Sequence, residues 1–348
     1  MSTHTVFRLP GKTRKSIRDI EVRQEQIPQP APQQVLIRVR SVALNYRDHA
    51  IASGFYPFPV KEDVVPCSDL AGDVVSVGSE VKDIQKGDKV IVNFDLKTLS
   101  GNIVGWSASQ GGPVDGVLRQ HVSVPSAFVT KIPYDTKLSY SQLASIVCTG
   151  TTAWNALYGN NPLKPGQTVL FLGTGGVSIT GLILAKAAGA TTIITSSSDE
   201  KLKYVQETYG ADHVINYKTT PNWSEKVLEI TNGHGADIIL ENGGAGTIAQ
   251  SINAVAYGGI VACIGFLAQC PQDQMPDVAA MTVGKGAIVR GIMIGSKVQL
   301  DEVARFVTSK NLQLPVEKEF GFSKEEVIAA WEYLASGQHI GKICIKVD

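Results

Sequence analysis

The sequence predicts an α/β fold: a doubly wound parallel sheet domain combined with a second, mostly β domain. Two observations predict it. Strand and helix signals alternate between about residues 148 and 287, whereas short strands separated by Gly, Pro and Asp fill the first third of the chain. The alternation is typical of a parallel sheet covered by helices. Closely spaced short strands are typical of a small barrel or folded sheet. With 348 residues, the chain is long enough for two such domains, each with its own core.

Composition narrows the functional classes. The 32 basic and 32 acidic residues balance, so nothing favours a nucleic-acid or anionic-membrane partner. Five scattered cysteines are typical of reduced thiols in an intracellular protein. The first 20 residues lack the apolar core of a signal peptide, and the uncharged stretch 242–272 is interrupted by glycines and amides. We expect a soluble, cytoplasmic protein that acts on a small molecule.

The elements of the mostly β part come first along the chain. Residues 35–42 alternate in polarity, residues 70–77 form an apolar run, and residues 89–94 follow a Gly-Asp turn, so each segment predicts a strand. Residues 96–116 are rich in Gly and Ser and have no periodicity, which predicts a long loop.

The helical and strand signals then alternate. Ser139 and Gln142 have the spacing of a capping box, which predicts a helix to about residue 158. Further strands are expected at 168–172, 191–195, 236–240 and 259–265, with helices at 176–188, 199–209 and 246–256. The tail predicts a strand at 288–294, a helix at 299–309, a helix opened by Ser323, and a last strand, 342–347, that returns to the first domain.

A glycine-rich turn joins the strand at 168–172 to the following helix. Gly173 permits a tight turn, Gly175 lets the backbone approach a pyrophosphate, and Gly176 and Val177 present helix N-terminal N–H groups to it. Ser178 replaces the third glycine of the usual fingerprint. The position between a strand and a helix predicts a dinucleotide-binding Rossmann site, and the alternative is a turn that is only rich in glycine.

The next strand bears on the choice of nucleotide. An NAD site usually ends this strand with a carboxylate for the ribose 2′-hydroxyl, but Ser196 and Ser197 stand here. Their hydroxyls can donate to a 2′-phosphate, and Lys201 adds a positive charge. The prediction is therefore NADPH, although Asp199 lies close by. The serines can also serve as helix caps.

The chain resembles the medium-chain dehydrogenase/reductase superfamily over nearly its whole length, and within it the quinone oxidoreductase and enoyl reductase branches. The motifs that carry the resemblance are Ala43-Leu-Asn-Tyr-Arg-Asp48, Ser53-Gly-Phe-Tyr-Pro57, Pro66-Cys-Ser-Asp-Leu-Ala-Gly72, Val77-Gly-Ser-Glu-Val81, Lys86-Gly-Asp-Lys-Val90, Gly150-Thr-Thr-Ala-Trp154, Gly210-Ala-Asp212 and Val214-Ile-Asn-Tyr217. The resemblance implies a GroES-like catalytic domain (1–147 and 288–348), a Rossmann domain (148–287) and an active site between them. It also implies a homodimer formed through edge strands, for which 288–294 is the candidate, and places Lys201 and Tyr217 near the 2′-phosphate.

The departures from the superfamily concern zinc. Zinc-dependent members have Cys at the position of Asn45 and Gly-His-Glu at positions 67–69, where this chain has Cys-Ser-Asp. Only Cys148 matches a ligand, and a catalytic zinc needs about three protein ligands. The lobe of four clustered cysteines for a structural zinc is replaced by the loop 96–116. We expect no metal.

Without a Lewis acid, hydride transfer is easier to a conjugated acceptor, because the acceptor itself spreads the developing negative charge. We therefore expect reduction of an enone, enal or quinone. The resemblance to enoyl reductases makes Tyr56 the candidate proton donor, although its ring can also simply pack in an apolar cluster. Asn45 is the candidate donor to the nicotinamide ribose or the substrate, and its alternative role is that of a turn amide.

Four further residues are candidates for cofactor contact because they lie near the nicotinamide or at the carboxyl ends of the parallel strands: Thr152, Asn242, Gly265 and Phe266. Two rival functions stay open. One is a zinc-free alcohol dehydrogenase or ketone reductase on the same fold, and the other is an NADPH-binding scaffold or redox sensor without enzymatic activity.

Overall fold

The computed structural model describes residues 2–11 and 14–348. The strands are β1 (Thr3–Arg8), β2 (Glu21–Gln26), β3 (Gln34–Ala43), β4 (Asp69–Val77), β5 (Lys89–Val92), β6 (His121–Pro125), β7 (Val129–Lys131), β8 (Thr168–Phe171), β9 (Thr191–Ser196), β10 (His213–Asn216), β11 (Ala236–Glu241), β12 (Val255–Cys263), β13 (Ile288–Gly291), β14 (Val316–Phe320) and β15 (Lys342–Lys346). The α-helices are α1 (Tyr46–Ala52), α2 (Tyr140–Ser145), α3 (Thr151–Tyr158), α4 (Gly176–Ala187), α5 (Asp199–Tyr209), α6 (Trp223–Ile230), α7 (Ile248–Ala254), α8 (Val278–Lys285), α9 (Lys297–Ser309) and α10 (Lys324–Ala335).

The chain divides into two compact units. The parallel-sheet unit comprises Thr152–Met293, and the mixed-sheet unit comprises the chain up to Thr151 together with Ile294–Asp348. Within the described residues, no helix has both the length and the apolar character needed to cross a membrane.

The parallel-sheet unit contains six strands in the order β10-β9-β8-β11-β12-β13, all paired in parallel. Apolar β-branched side chains fill the interior strands, and Ile193, Ile239 and Val261 are fully buried. The order reverses between β8 and β11, which is the arrangement of a doubly wound dinucleotide-binding sheet. Ligands bind such sheets outside the carboxyl ends of the strands at this reversal, so the turns after β8 and β11 are where a nucleotide site is expected.

The mixed-sheet unit is built mainly from antiparallel strands. Its seven-stranded sheet contains β14-β15-β3-β4-β5-β7, with β6 pairing to β3, and β1 and β2 form a separate hairpin. The core includes Phe7 and, from α10, Trp331, both fully buried. β15 pairs with β3, which confirms the expected return of the last strand to the first domain. Residues 96–116 contain no helix or strand longer than an isolated bridge, as expected for a loop.

Some element bounds differ from the sequence-based expectations. The helix expected over 139–158 is confirmed, but a π-helical turn (Ile146–Gly150) separates α2 from α3. The helix expected over 246–256 ends at Ala254, because β12 begins at Val255 and pairs with β11. Strand β13 pairs with β12, so residues 288–293 go with the parallel-sheet unit and not with the 288–348 segment expected from the sequence.

Candidate active site

The turn after β8 has the geometry of a phosphate cradle. Gly173 has a positive φ of 77°, which only glycine adopts freely, and Gly175 is the N-cap of α4. A Cβ added at either glycine would meet no protein atom within 4 Å. Gly176 and Val177, the first two residues of α4, come directly after this N-cap, and their backbone N–H groups belong to the first turn of the helix. The turn therefore leaves room for an anion at a helix N-terminus.

Ser178, which stands at the third position of the fingerprint, is buried and used structurally. Its hydroxyl donates to the carbonyl oxygen of Leu172 (2.8 Å) and accepts from Nδ2 of Asn242 (2.9 Å). Asn242 thus ties the end of β11 to the glycine turn, which leaves its Oδ1 as the atom for any cofactor contact. Close packing of helix on strand is achieved one turn later, at Gly181, where a Cβ would lie 2.8 Å from the Phe171 ring.

The residues expected around a 2′-phosphate are brought together at the end of β9. Ser196 is the last residue of the strand, and its carbonyl oxygen accepts from the backbone N–H of Tyr217 at 3.0 Å. Ser198 caps α5 by accepting from the N–H of Lys201 at 3.3 Å, so the capping role belongs to Ser198 and leaves Ser197 half-buried beside it. The carboxylate of Asp199 accepts from Nδ2 of Asn216 at 2.8 Å, which fixes its position but does not neutralise its charge.

The turn after β11 is organised by a residue that sequence reasoning missed. Glu241 is fully buried, and one carboxylate oxygen accepts from the N–H groups of Gly243 (2.7 Å) and Gly244 (2.9 Å) and from the Thr247 hydroxyl (2.6 Å). The other oxygen accepts from Ser251. These bonds hold the backbone after β11 in a tight turn. The feature of the sequence that could have indicated this role is a lone acidic residue at the end of an apolar strand.

The remaining cofactor candidates of this unit differ in accessibility. A Cβ at Gly265 would lie 2.5 Å from the carbonyl oxygen of Asn242, so glycine is required for the chain after β12 to pass this closely. Phe266 follows and is largely exposed, whereas Thr152, the first residue of the unit, is buried in α3.

In the mixed-sheet unit, Asn45 and Lys342 face each other across two strand ends. The antiparallel register pairs Cys344 with Ala43, which places Lys342 opposite Asn45. The Lys342 ammonium donates to Oδ1 of Asn45 at 2.7 Å and to the carbonyl oxygen of Leu44. Asn45 is also the N-cap of α1, and its backbone N–H donates to Asp48 at 2.8 Å.

Two buried carboxylates surround this pair. Asp69 lies 3.8 Å from the Lys342 ammonium and accepts from the Ser68 hydroxyl (2.6 Å) and the Cys148 N–H (3.1 Å). Burial raises the pKa of Asp69, and the nearby ammonium opposes that rise. Burial also raises the pKa of Asp48 to about 6, against the influence of the neighbouring Arg47. At both carboxyls the effect of burial therefore outweighs that of the neighbouring positive charges.

Tyr56 lies in an aromatic group of the same unit. Its ring packs edge-on against Phe58 (centroids 5.4 Å apart), and Phe58 lies 5.0 Å from Trp106 of the loop 96–116. The Arg47 guanidinium stands 5.4 Å from the centroid of the Tyr56 ring. The Tyr56 hydroxyl makes no hydrogen bond with any residue that the structure describes, which leaves it available to a ligand.

Cys67 adopts a backbone conformation that L-residues avoid. It is fully buried and has a φ of 67°, and a Cβ at Gly116 would lie 1.9 Å from its carbonyl oxygen. Left-handed geometry costs a non-glycine residue roughly 1–2 kcal/mol and a β-branched residue more. The glycine that zinc-dependent dehydrogenases carry at this position fits that geometry.

We expect Cys67→Val to lower the thermal denaturation midpoint by about 5 °C or more, because valine adds β-branched strain. We expect Cys67→Gly to change it by only ~2 °C, since relief of strain offsets the lost burial of the sulfur. Circular dichroism on heating measures both. A valine variant as stable as the parent protein would show that the chain does not hold this conformation.

Comparisons with known proteins agree with this geometry. Residues 31–134 match the alcohol dehydrogenase GroES-like domain, and residues 176–309 match the zinc-binding dehydrogenase family. A zinc-type alcohol dehydrogenase-like protein of Schizosaccharomyces pombe is 38% identical over 322 residues, which cover 91% of this chain and 92% of that protein. The chain belongs to the medium-chain dehydrogenase/reductase superfamily. It is therefore an oxidoreductase of a superfamily that binds a nicotinamide cofactor.

Other superfamily members show the range of activities on this fold. A quinone oxidoreductase-like protein 2 homolog of Nematostella vectensis is 29% identical and covers 90% of this chain and 81% of that protein. Among solved structures, an alcohol dehydrogenase from Sinorhizobium meliloti has a TM-score of 0.88 at 32% identity, with 99% of each chain covered. An NAD-dependent alcohol dehydrogenase has a TM-score of 0.86 at 27% identity, with 99% of this chain and 100% of that chain covered.

The residues of this dehydrogenase/reductase do not fit the zinc that its family name implies. Within the described part of the chain, no three His, Cys, Asp or Glu side chains are grouped as a metal site. Of the positions that bind the catalytic zinc in zinc-dependent members, only Cys148 keeps a ligand side chain, whereas a catalytic zinc needs about three protein ligands. The amide oxygen of Asn45 is already bonded to an ammonium, which repels a second cation.

Proposed function

We propose that this protein is a zinc-independent, NADPH-dependent oxidoreductase that reduces a conjugated carbonyl compound: an enone, an enal or a quinone. The observation that carries the proposal is the hydrogen bond from Lys342 to Asn45, where zinc-dependent relatives bind their metal through cysteine. A fixed ammonium and a carboxamide replace a Lewis acid at this position. The chemistry must therefore proceed with hydrogen-bond donors alone.

The absence of a Lewis acid favours one class of acceptor. A metal contributes several kcal/mol to stabilising the oxygen anion that forms when a carbonyl is reduced. In a conjugated acceptor the same charge spreads over the substrate, so one or two protein donors suffice. An unconjugated ketone concentrates the charge on one oxygen and needs more help than this unit offers.

Two side chains have the required chemistry. The Tyr56 hydroxyl makes no hydrogen bond with a described residue. A phenol can deliver the proton that completes the reduction. Asn45 offers Nδ2, a buried amide nitrogen without a hydrogen-bond partner among the described residues. We assign proton donation to Tyr56 and stabilisation of the substrate oxygen to Asn45.

The parallel-sheet unit supplies the nucleotide site in this proposal. When bound, NADPH supplies the hydride. Gly173, Gly175, Gly176 and Val177 cradle the pyrophosphate, and Thr152, Asn242, Gly265 and Phe266 contact the rest of the cofactor. The hydroxyls of Ser196 and Ser197, the Lys201 ammonium and Tyr217 bind the 2′-phosphate. Serine hydroxyls at the end of β9, where NAD sites usually have a carboxylate, support NADPH over NADH.

We expect Lys201→Ala to lower kcat/KM for NADPH by about 10-fold or more and to leave kcat/KM for NADH unchanged. A hydrogen bond to a charged group contributes about 1.5–3 kcal/mol, and only NADPH carries the 2′-phosphate. Lys203→Ala, in the same helix and largely exposed, is the matched control. Equal kcat/KM for NADH and NADPH in the parent enzyme would contradict the assignment of the cofactor.

A second candidate function is a zinc-free alcohol dehydrogenase or ketone reductase. The names of the S. pombe and S. meliloti relatives favour an alcohol as the substrate, but they do not favour a zinc-free mechanism. Steady-state assays separate the two: NADPH oxidation with an enone and a quinone, against NADP⁺ reduction with a secondary alcohol. A higher kcat/KM for the alcohol would replace the proposed substrate class. Stoichiometric zinc required for turnover would exclude the zinc-independent mechanism. Cofactor binding without turnover of any acceptor would indicate a scaffold or sensor instead.

We also propose that the protein is a homodimer formed through β13. This strand pairs only with β12 among the described strands, and Val283, Tyr257 and Ile288 present exposed apolar surface beside it. An open strand edge with apolar neighbours is a surface for pairing with a second copy. We expect a dimer in analytical ultracentrifugation at micromolar concentration, converted to monomer by Val283→Asp with Ile288→Lys. A parent protein that sediments as a monomer would overturn this.

The reduced state of the cysteines bears on location. Within the described structure all five are free: Cys67, Cys148, Cys263, Cys270 and Cys344. Because thiols persist in reducing compartments, we propose that the enzyme acts in the cytoplasm on a small-molecule substrate. Cytoplasmic fluorescence of a tagged full-length chain is the expected result, and its confinement to a secretory compartment would refute the proposal.

A further inference from the structure

The carboxamide of Asn45 is held in one of its two possible orientations. An ammonium group donates hydrogen bonds and cannot accept them, so the amide atom that faces Lys342 must be the oxygen. Nδ2 is then the donor atom of the amide, and it lies near enough to Asp69 to help lower the pKa of that carboxyl. Nδ2 is buried, in a side chain that is only 8% exposed, and has no hydrogen-bond partner among the described residues. A buried amide donor without a partner is costly unless a ligand satisfies it.

Lys342 is itself fixed. It is 2% exposed, and its ammonium faces three acceptors: the carbonyl oxygen of Leu44, Oδ1 of Asn45 and the carboxylate of Asp69. The ammonium donates hydrogen bonds to the two oxygens, and the Asp69 carboxylate, 3.8 Å away, holds it by charge attraction. Asp69 in turn is anchored by Ser68 and by the backbone of Cys148. The orientation of the Asn45 amide is thus imposed by a rigid, buried group.

We propose that Lys342 is a positioning residue for the reduction: it locks the Asn45 amide so that Nδ2 donates to the oxygen of the acceptor. The inference rests on the proposed function. Without the lock, rotation of the amide by 180° would present Oδ1 to the substrate. That oxygen would repel the negative charge that develops there, whereas a fixed N–H stabilises it without reorganisation.

The test is a double-mutant cycle with steady-state kinetics on an enone. Lys342→Met is combined with Asp69→Asn, because loss of the ammonium alone would leave a buried carboxylate unpaired. We expect Asn45→Ala to lower kcat about 100-fold and the Lys342→Met/Asp69→Asn pair to lower it at least 10-fold. The triple variant should be no worse than Asn45→Ala, within about 2-fold, because Lys342 acts only through Asn45. Asp69→Asn alone reports the contribution of the carboxylate.

Controls separate positioning from folding. Lys346→Met removes an exposed, ion-paired lysine from the same strand and should leave kcat unchanged. Lys342→Gln/Asp69→Asn keeps a hydrogen-bonding side chain, one atom shorter than lysine, but loses the donor-only character. It should lower kcat in the same direction, and it replaces the methionine variant if that one does not fold. The dissociation constant for NADPH should change less than about 2-fold in every variant.

The outcomes are distinct. The positioning role would be overturned if the fold-decrease in kcat of the triple variant equalled the product of the decreases in Asn45→Ala and in the Lys342→Met/Asp69→Asn pair. Full activity of the Lys342→Gln/Asp69→Asn protein would overturn it as well. Both results leave the proposed function intact, because the parent enzyme still reduces the enone. A parent enzyme that is inactive on enones and quinones overturns the function and this inference together.

Discussion

Gly175→Val is expected to weaken NADPH binding by about 100-fold or more while leaving the protein folded. The residue has φ −78° and ψ 179°, an extended conformation that valine adopts readily, and a Cβ there meets no protein atom within 4 Å. The free protein therefore accommodates the side chain. A pyrophosphate that approaches the backbone does not, and it loses hydrogen bonds to the turn that contribute about 1.5–3 kcal/mol each.

Fluorescence titration with NADPH measures the dissociation constant, and thermal denaturation reports folding, with an expected shift of ~3 °C or less. Gly284→Val is the matched control, since this glycine of α8 also has no protein atom within 4 Å of an added Cβ. It should bind NADPH as the parent does. Unimpaired binding by Gly175→Val would mean that the nucleotide does not lie over this turn.

The nucleotide half of the site could be predicted from sequence because its signals are local. A strand, a glycine turn and a helix lie within about 20 residues, and each glycine has a conformational or packing reason that can be stated beforehand. The structure confirms the alternation of strands and helices and the strand order of a doubly wound sheet. The short helices α1, α6 and α8 were not predicted, because each spans eight residues or fewer and too few turns for a periodic pattern.

The other half of the site depends on contacts between residues that lie far apart in the chain. Lys342 and Asn45 are 297 positions apart, and the strand register of β15 on β3 brings them together. In the sequence, Asn45 is visible as a departure from a zinc ligand, but no pattern indicates its partner. A lysine near the end of an apolar strand is ordinarily a surface residue, and only the fold shows that this one is buried beside Asp69.

Glu241 illustrates the same difficulty within one unit. Its position at the end of an apolar strand suggests an exposed carboxylate, yet the structure buries it. Two N–H groups of the following turn and the hydroxyls of Thr247 and Ser251 donate hydrogen bonds to it. Gly244 makes that turn possible, because it has a φ of 78° and an added Cβ would lie 2.9 Å from Cα of Phe266, in the chain after β12. Sequence patterns identify such segments as turns but do not indicate which buried charge they enclose.

Tyr56→Phe is expected to lower kcat on an enone by about 100-fold and to change KM by less than about 3-fold. Transfer of a proton from a positioned side chain typically contributes 10²- to 10⁴-fold, and the substitution removes only the hydroxyl. The ring contacts with Phe58 and Arg47 are retained. Because the hydroxyl has no hydrogen-bond partner among the described residues, its loss should not destabilise the fold. A fall in kcat with KM preserved assigns Tyr56 to the chemical step.

Tyr134→Phe is the control, because Tyr134 belongs to the same unit and is 99% exposed. It should leave kcat and KM unchanged. An unchanged kcat in Tyr56→Phe would remove the proton-donor role and leave the ring as part of the aromatic group with Phe58 and Trp106. A rise in KM with an unchanged kcat would instead show that the hydroxyl binds the substrate and the transition state equally. Only interactions that are stronger in the transition state increase the rate of the chemical step.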